Sequence, residues 1–139
     1  MTEELDDTLY ARVCALSERA DDALEDERQR DAVAPLVEAL KLLPEPKQQW
    51  EAYTWINGSL GEALFTLQQY RGAREVLFDA MNGPDGQLNP FILLRLGQTL
   101  YELGERDLAK QYLARAHMLE GDEIFEAEDP KYIEFLTKQ

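Results

Sequence analysis

The chain has 139 residues, of which 45% are hydrophobic, so it is long enough for one domain with a buried core. Its formal net charge of −14 argues against nucleic acid as a partner, because the carboxylates would repel the phosphate backbone. Apolar runs are only a few residues long, so no membrane-spanning helix is expected. A single cysteine, Cys14, and an acidic N-terminus that lacks the signal-peptide pattern predict a cytoplasmic protein.

The negative charge is concentrated near the two ends of the sequence. Residues 1–31 contain 11 acidic and four basic side chains, and residues 120–129 contain six acidic side chains and no basic one. The residues between these segments are nearly neutral. This distribution either maintains solubility or steers a basic protein partner toward the chain.

Apolar residues recur with helical periodicity along most of the chain, and no segment alternates apolar and polar residues as a strand would. The predicted helices span residues 3–25, 31–43, 47–67, 70–82, 90–103, 106–119 and 130–138. Pro35 is expected in the first turn of its helix, because an interior proline costs about 3 kcal/mol. The helix after Pro46 is predicted to be unusually long. Gly58 lies inside it, which costs about 1 kcal/mol relative to alanine and suggests close packing or the close approach of a partner.

Several helix ends are marked by capping residues. Asn89-Pro90 and Asp129-Pro130 each place an N-cap residue before a proline at the first helical position. Gly83 and Gly121 are expected to end the preceding helices in a left-handed conformation.

A repeat with a constant period of 36 residues is the main organising feature of the sequence. It relates Gly61 to Gly97, Ala73 to Ala109 and Ala80 to Ala116. A weaker copy near the N-terminus has Ser17 in place of glycine, and its alanines precede those of the second copy by 41 residues. Small residues at these positions allow two helices to approach closely, and such a pair must stack on its neighbours to complete a core.

This spacing of leucine-glycine, tyrosine, alanine, leucine and alanine, as in Leu60-Gly61 and Leu96-Gly97, resembles the tetratricopeptide repeat (TPR) family over about residues 10–121. The resemblance implies an all-α fold: a right-handed solenoid of about three helix pairs that ends in a C-terminal capping helix. The expected organisation is a single domain over residues 1–139. Its predicted segments are repeats at about 10–44, 47–83 and 90–121 and a capping helix at about 130–138.

The resemblance also implies a groove that binds peptides or protein segments, lined by the first helix of each repeat. The groove positions that carry over are Trp55, Ser59, Glu62, Phe65 and Thr66 in the second repeat, Phe91, Arg95, Gln98, Tyr101 and Glu102 in the third, and Cys14, Glu18 and Asp21 in the first. The aromatic members form either part of the core or a partner surface. Leu60, Leu64 and Leu96 already supply buried stripes, and this favours the partner surface.

A narrower resemblance covers residues 79–98 and 123–132. These residues are similar to those of small bacterial repeat proteins that accompany polymorphic toxins. The resemblance implies an immunity protein that binds and neutralises a cognate toxin, and the acidic ends of the chain would suit a basic toxin. Two alternatives remain open: a small chaperone or adaptor that holds a segment of a secreted protein, and self-association into a homodimer through the aromatic face.

The sequence offers no set of catalytic residues, and neither a cofactor nor a bound metal is expected. His117 is the only histidine, and it is predicted to lie at the opposite end of the solenoid from Cys14, so a nucleophilic Cys–His pair is not expected. Histidine or cysteine clusters with metal-ligand spacing are absent from the sequence. Binding rather than catalysis is therefore the predicted activity.

Overall fold

In a computed structural model that describes residues 4–138, the chain is an all-helical stack, and the described part contains no strand. Its helices are α1 (Asp7–Glu25), α2 (Gln29–Leu42), α3 (Glu51–Thr66), α4 (Tyr70–Met81), α5 (Pro90–Glu102), α6 (Arg106–Glu120) and α7 (Pro130–Thr137). Short 3₁₀ turns occupy Lys47–Gln49, Gly86–Leu88 and Gly121–Phe125. None of the helices in this part of the chain is long and apolar enough to cross a membrane.

The helices pair in chain order, and the pairs stack side by side. Helix α1 packs on α2, α3 on α4, and α5 on α6, while α2 contacts α3 and α4 contacts α5. Helix α7 packs on α6 at the end of the stack. The predicted all-α solenoid with a terminal helix is therefore confirmed.

Small residues hold the two helices of each pair close together. A Cβ atom on Gly61 would lie 2.2 Å from Leu77 Cδ2, and one on Gly97 would lie 2.7 Å from Leu113 Cγ. Ser17 is the equivalent residue in α1; it is buried, and its hydroxyl donates to the Val13 carbonyl at 2.9 Å. The alanines of the repeat are fully buried at Ala32, Ala39, Ala73, Ala80, Ala109 and Ala116.

The turn inside each pair has the same backbone geometry. Glu27, Gln68 and Gly104 occupy equivalent positions, and their φ angles are 60°, 62° and 83°. In each turn the next amide donates to a carbonyl five residues earlier, over 2.7 Å, 2.8 Å and 2.9 Å respectively. This bond closes a Schellman-type helix end, which favours glycine at the left-handed residue.

The first two helices begin at other residues than predicted. Helix α1 begins at Asp7, where the Asp6 carboxylate accepts from the Thr8 and Leu9 amides. The predicted start at residue 3 lies outside the described residues. Helix α2 begins at Gln29, so Pro35 lies inside the helix rather than in its first turn as predicted. Pro35 is buried on the same face as Ala32 and Leu36, and this packing offsets the missing amide bond.

The prediction of one long helix after Pro46 is wrong. Helix α3 has 16 residues, because Trp50 is extended at ψ 139° and separates it from the 3₁₀ turn at Lys47–Gln49. The Trp50 indole donates to the Pro44 carbonyl at 2.8 Å. The Lys47 ammonium donates to the Leu43 carbonyl at 2.6 Å, at the end of α2. These bonds hold the segment against α2, so it does not extend α3.

Both N-cap predictions are confirmed: Asn89 accepts from the Phe91 and Ile92 amides, and Asp129 accepts from the Lys131 amide. Gly121 ends α6 at a positive φ of 72°, but its ψ of −160° lies outside the predicted left-handed helical region. After α4, however, the left-handed residue is Asp85, at φ 56°. Gly83 is required for space instead, since a Cβ there would lie 2.2 Å from Thr54 Oγ1.

The contrast between two glycines on the first helices tests this packing. Gly97→Ala should lower the free energy of unfolding by about 1–3 kcal/mol, because its methyl group meets Leu113, including the backbone nitrogen at 3.0 Å. Gly58→Ala is the matched control. Its Cβ would meet only the flexible Ile92 side chain, at 3.4 Å from Cγ1 and 3.5 Å from Cδ1, so we expect a gain of up to about 1 kcal/mol. Urea denaturation measures both changes, and equal effects would contradict the packing described.

The turn geometry predicts that two substitutions change the stability of the fold in opposite directions. Gln68→Gly should stabilise the fold by about 1 kcal/mol, because it removes the cost of a left-handed side-chain residue. Gly104→Ala should destabilise it by a similar amount for the same reason. Thermal unfolding followed by circular dichroism checks both signs.

Candidate partner-binding face

The exposed side of α1, α3 and α5, here named the first-helix face, carries the residues predicted to bind a partner. Two of the aromatic side chains predicted to bind a partner are open to solvent: Trp55 is 37% exposed and Phe91 is 67% exposed. They occupy equivalent repeat positions on α3 and α5, which contact each other. Glu18, Asp21 and Thr66 are also exposed, whereas Cys14 and Ser59 are half-buried.

Arg95 lies at the centre of a hydrogen-bonded network between α3, α5 and the segment that follows α6. Its guanidinium donates to Glu62 of α3, at 3.0 Å for Nη2, and to Glu128. It also donates to Gln98 Oε1 at 2.8 Å, and the Gln98 amide donates to Glu128 at 2.8 Å. The ring of Phe65 lies 5.3 Å from the guanidinium carbon.

Burial and the neighbouring carboxylates shift the pKa of Arg95 in opposite directions. Burial lowers the pKa of its guanidinium, but the bonds to Glu62 and Glu128 outweigh burial and raise the pKa overall. The side chain is only 20% exposed, and its charge is opposed by two carboxylates. Arg95 is therefore a charged part of the scaffold, and the face presents little free positive charge at this point.

Several predicted site residues are directed toward the chain itself. Gln98 was expected in the groove, but it is fully buried beneath Glu128 and so has no surface to offer a partner. Tyr101 packs edge-on against Tyr132 and Phe135 of the last helix, with ring centroids 5.4 Å and 5.0 Å apart. Glu102 accepts from the Lys131 ammonium at 2.6 Å.

Phe65 also contributes to the scaffold. It is partly buried against the hydrophobic core between α4, α5 and α6, and its ring packs edge-on against that of Tyr70, with centroids 5.7 Å apart. Of the four aromatic residues predicted to form a partner surface, only Trp55 and Phe91 are thus exposed.

A pocket of about 360 Å³ lies between α5 and the segment after α6, and it is named here the α5 pocket. Its lining consists of Phe91, Leu94, Arg95, Glu120, Glu123, Ile124, Ala127 and Glu128. Leu94 and the lining residues from 120 to 128 were not among the predicted site residues. The only signal there was the acidic run beside the apolar pair Ile124-Phe125, in a segment without helical periodicity.

The residues considered for catalysis lie far apart in the fold. Cys14 is half-buried on α1, and its thiol raises the pKa of the nearby Tyr10 phenol. His117 is on α6, and its Nε2 lies 2.6 Å from Asp122 Oδ1. Over residues 4–138, no group of three or more histidine, cysteine, aspartate or glutamate side chains is arranged to hold a metal ion.

Comparison with solved structures identifies the arrangement. The NMR structure of the second TPR domain of the human RPAP3 protein, in complex with the HSP70 peptide SGPTIEEVD, superposes with a TM-score of 0.71. The match covers 93% of this chain and 95% of that one, at 15% sequence identity. This chain has a TPR fold. No family model matches the sequence, and neither does any curated protein. At this identity the likeness establishes the fold, and the TPR arrangement assigns α1, α3 and α5 as first helices.

The structural role of Arg95 predicts that replacing it lowers the free energy of unfolding more than replacing Arg74 does. Arg95→Met should lower the free energy of unfolding by about 2–3 kcal/mol, because Glu62 and Glu128 would be left partly buried without a cation. Arg74→Met is the control. It removes an ion pair with Glu105 whose side chains are more than a third exposed, so the loss should stay below about 1 kcal/mol. Equal losses in chemical denaturation would show that the Arg95 network contributes nothing beyond a surface pair.

Proposed function

We propose that this chain is a protein-binding scaffold that holds a segment of another protein across its first-helix face. The observation that carries the proposal is the exposure of Trp55 and Phe91 at equivalent positions on neighbouring helices. Exposed aromatic side chains that are surplus to the core are typical of interface hot spots. The peptide complex of the RPAP3 domain, which has the same fold, supports this function over a catalytic one.

The chemistry of the bound segment should differ from that of the RPAP3 ligand. That peptide, SGPTIEEVD, is acidic. On this chain the predicted groove base, Arg95, is already bonded to Glu62 and Glu128, while Glu18 and Asp21 add exposed negative charge to the face. We therefore propose an adaptor or chaperone for a segment that is not acidic, which the chain meets in the cytoplasm.

The finer proposal, that the partner is a cognate bacterial toxin, rests on the resemblance of residues 79–98 and 123–132 to toxin-associated repeat proteins. Co-expression with the product of the neighbouring gene separates the two roles. Rescue of growth from that product's toxicity supports neutralisation. Increased solubility of a non-toxic product supports a chaperone. If the two proteins form no complex, that product is the partner in neither role.

Selection from a displayed library of random peptides tests the scaffold itself. Synthetic copies of the enriched peptides should bind the wild-type chain, and Trp55→Ala/Phe91→Ala should weaken this binding at least about tenfold, because each hot-spot truncation costs more than about 1 kcal/mol. Met118→Ala is the control, since Met118 is 82% exposed on α6, a second helix. Isothermal titration calorimetry measures the affinities.

Either of two results would overturn the proposal: a selection without enrichment, or peptides that bind the double variant as tightly as wild type. Size-exclusion chromatography of the wild type and the double variant tests the alternative of a homodimer. A wild-type dimer that dissociates in the variant would indicate self-association through the same face.

A further inference from the structure

The α5 pocket offers one apolar side chain a place between two walls. Phe91 and Leu94 of α5 form one wall, and Ile124 and Ala127 form the other. Its volume of about 360 Å³ is at the lower end of the range for ligand sites, which suits a single large side chain better than an extended ligand. Phe91 stands exposed at its edge, where it would cover the side chain that enters.

The wall contributed by the segment after α6 is held in place at both ends. At its start, Phe125 is buried in the core, with its ring 6.0 Å from that of His117. At its end, Glu128 accepts from both Arg95 and Gln98 of α5. A wall fixed by such contacts lowers the cost of ordering the site when a ligand binds.

The charges around the α5 pocket determine what can lie next to that side chain. Glu128 is bonded to Arg95, and Arg95 is bonded in turn to Glu62. Glu120 and Glu123 also line the pocket; both are exposed, and neither forms a salt bridge within residues 4–138. The available charge at the rim is thus two carboxylates, which attract a cation and repel an acidic segment.

We propose that the α5 pocket binds a large apolar side chain of a partner segment whose neighbouring lysine or arginine residues pair with Glu120 and Glu123. This inference rests on the proposed scaffold function and specifies its ligand. The same charge disfavours a second copy of the chain as the occupant, because two molecules of net charge −14 repel each other.

A set of synthetic peptides tests both halves of the proposal. The probe is a short glycine-serine peptide with a central phenylalanine flanked by lysines. Its matched forms replace the lysines by glutamines, the lysines by glutamates, or the phenylalanine by alanine. We expect the lysine–phenylalanine peptide to bind best and the glutamate form not to bind. The glutamine and alanine forms should each bind at least about fivefold more weakly, a difference of about 1 kcal/mol.

Two charge-matched variants of the protein locate the effect. Glu120→Gln/Glu123→Gln should reduce the affinity for the lysine–phenylalanine peptide about fivefold and weaken its dependence on salt. Glu126→Gln/Glu134→Gln is the control, because it removes the same charge from exposed residues that do not line the pocket and should leave the affinity almost unchanged. Unfolding curves of both variants should match that of the wild type.

The proposal is overturned if the peptides bind regardless of charge, if the two double variants lose affinity equally, or if the lysine–phenylalanine peptide does not bind. The scaffold function can survive these results, because it depends on whether library-selected peptides of any composition need Trp55 and Phe91. Selected peptides that bind through these aromatics but lack basic residues would retain the scaffold and reject this ligand.

Discussion

The guanidinium of Arg95 links three parts of the chain that are distant in sequence. It bonds to Glu62 of the second repeat, to Gln98 one turn further along its own helix, and to Glu128 in the segment that follows the third repeat. Because a partly buried cation is stable only when it is paired, these contacts fix the neighbouring first helices and the end segment relative to one another. The shape of the first-helix face depends on this arrangement.

The same interaction determines the chemistry of the face. Since the charge of Arg95 is opposed by two carboxylates, an incoming carboxylate would have to displace Glu62 or Glu128 to reach it. What remains accessible is aromatic surface on Trp55 and Phe91, with further carboxylates nearby. A face of this composition suits an apolar segment with basic residues, and the acidity at both ends of the sequence would steer such a segment toward it.

Much of the fold was predictable because the repeat restricts residue size at fixed positions. Gly61, Gly97 and the buried alanines allow close helix pairs only at the observed spacing. The left-handed positions in two of the turns are occupied by Glu27 and Gln68 rather than by glycine. The sequence therefore indicated the helix ends there only approximately. Likewise, nothing local in the sequence shows that Trp50 interrupts a helix, since its conformation depends on a bond to Pro44.

The partner face was harder to predict than the fold. Repeat spacing places Gln98 and Tyr101 on the exposed side of α5, but the non-periodic segment around Glu128 and the last helix cover them. Which side chains are covered depends on long-range contacts that periodicity does not encode. Trp55 and Phe91 are not covered in this way and remain exposed.

We propose that Arg95 belongs to the scaffold and that a partner binds Trp55 and Phe91 instead. Side-chain NMR during titration with a peptide selected from the displayed library is the test. The Trp55 indole and Phe91 ring signals should shift, while the Arg95 Nε–H signal should persist throughout the titration. Loss of the Arg95 signal on binding, or shifts confined to Met118 on α6, would contradict it.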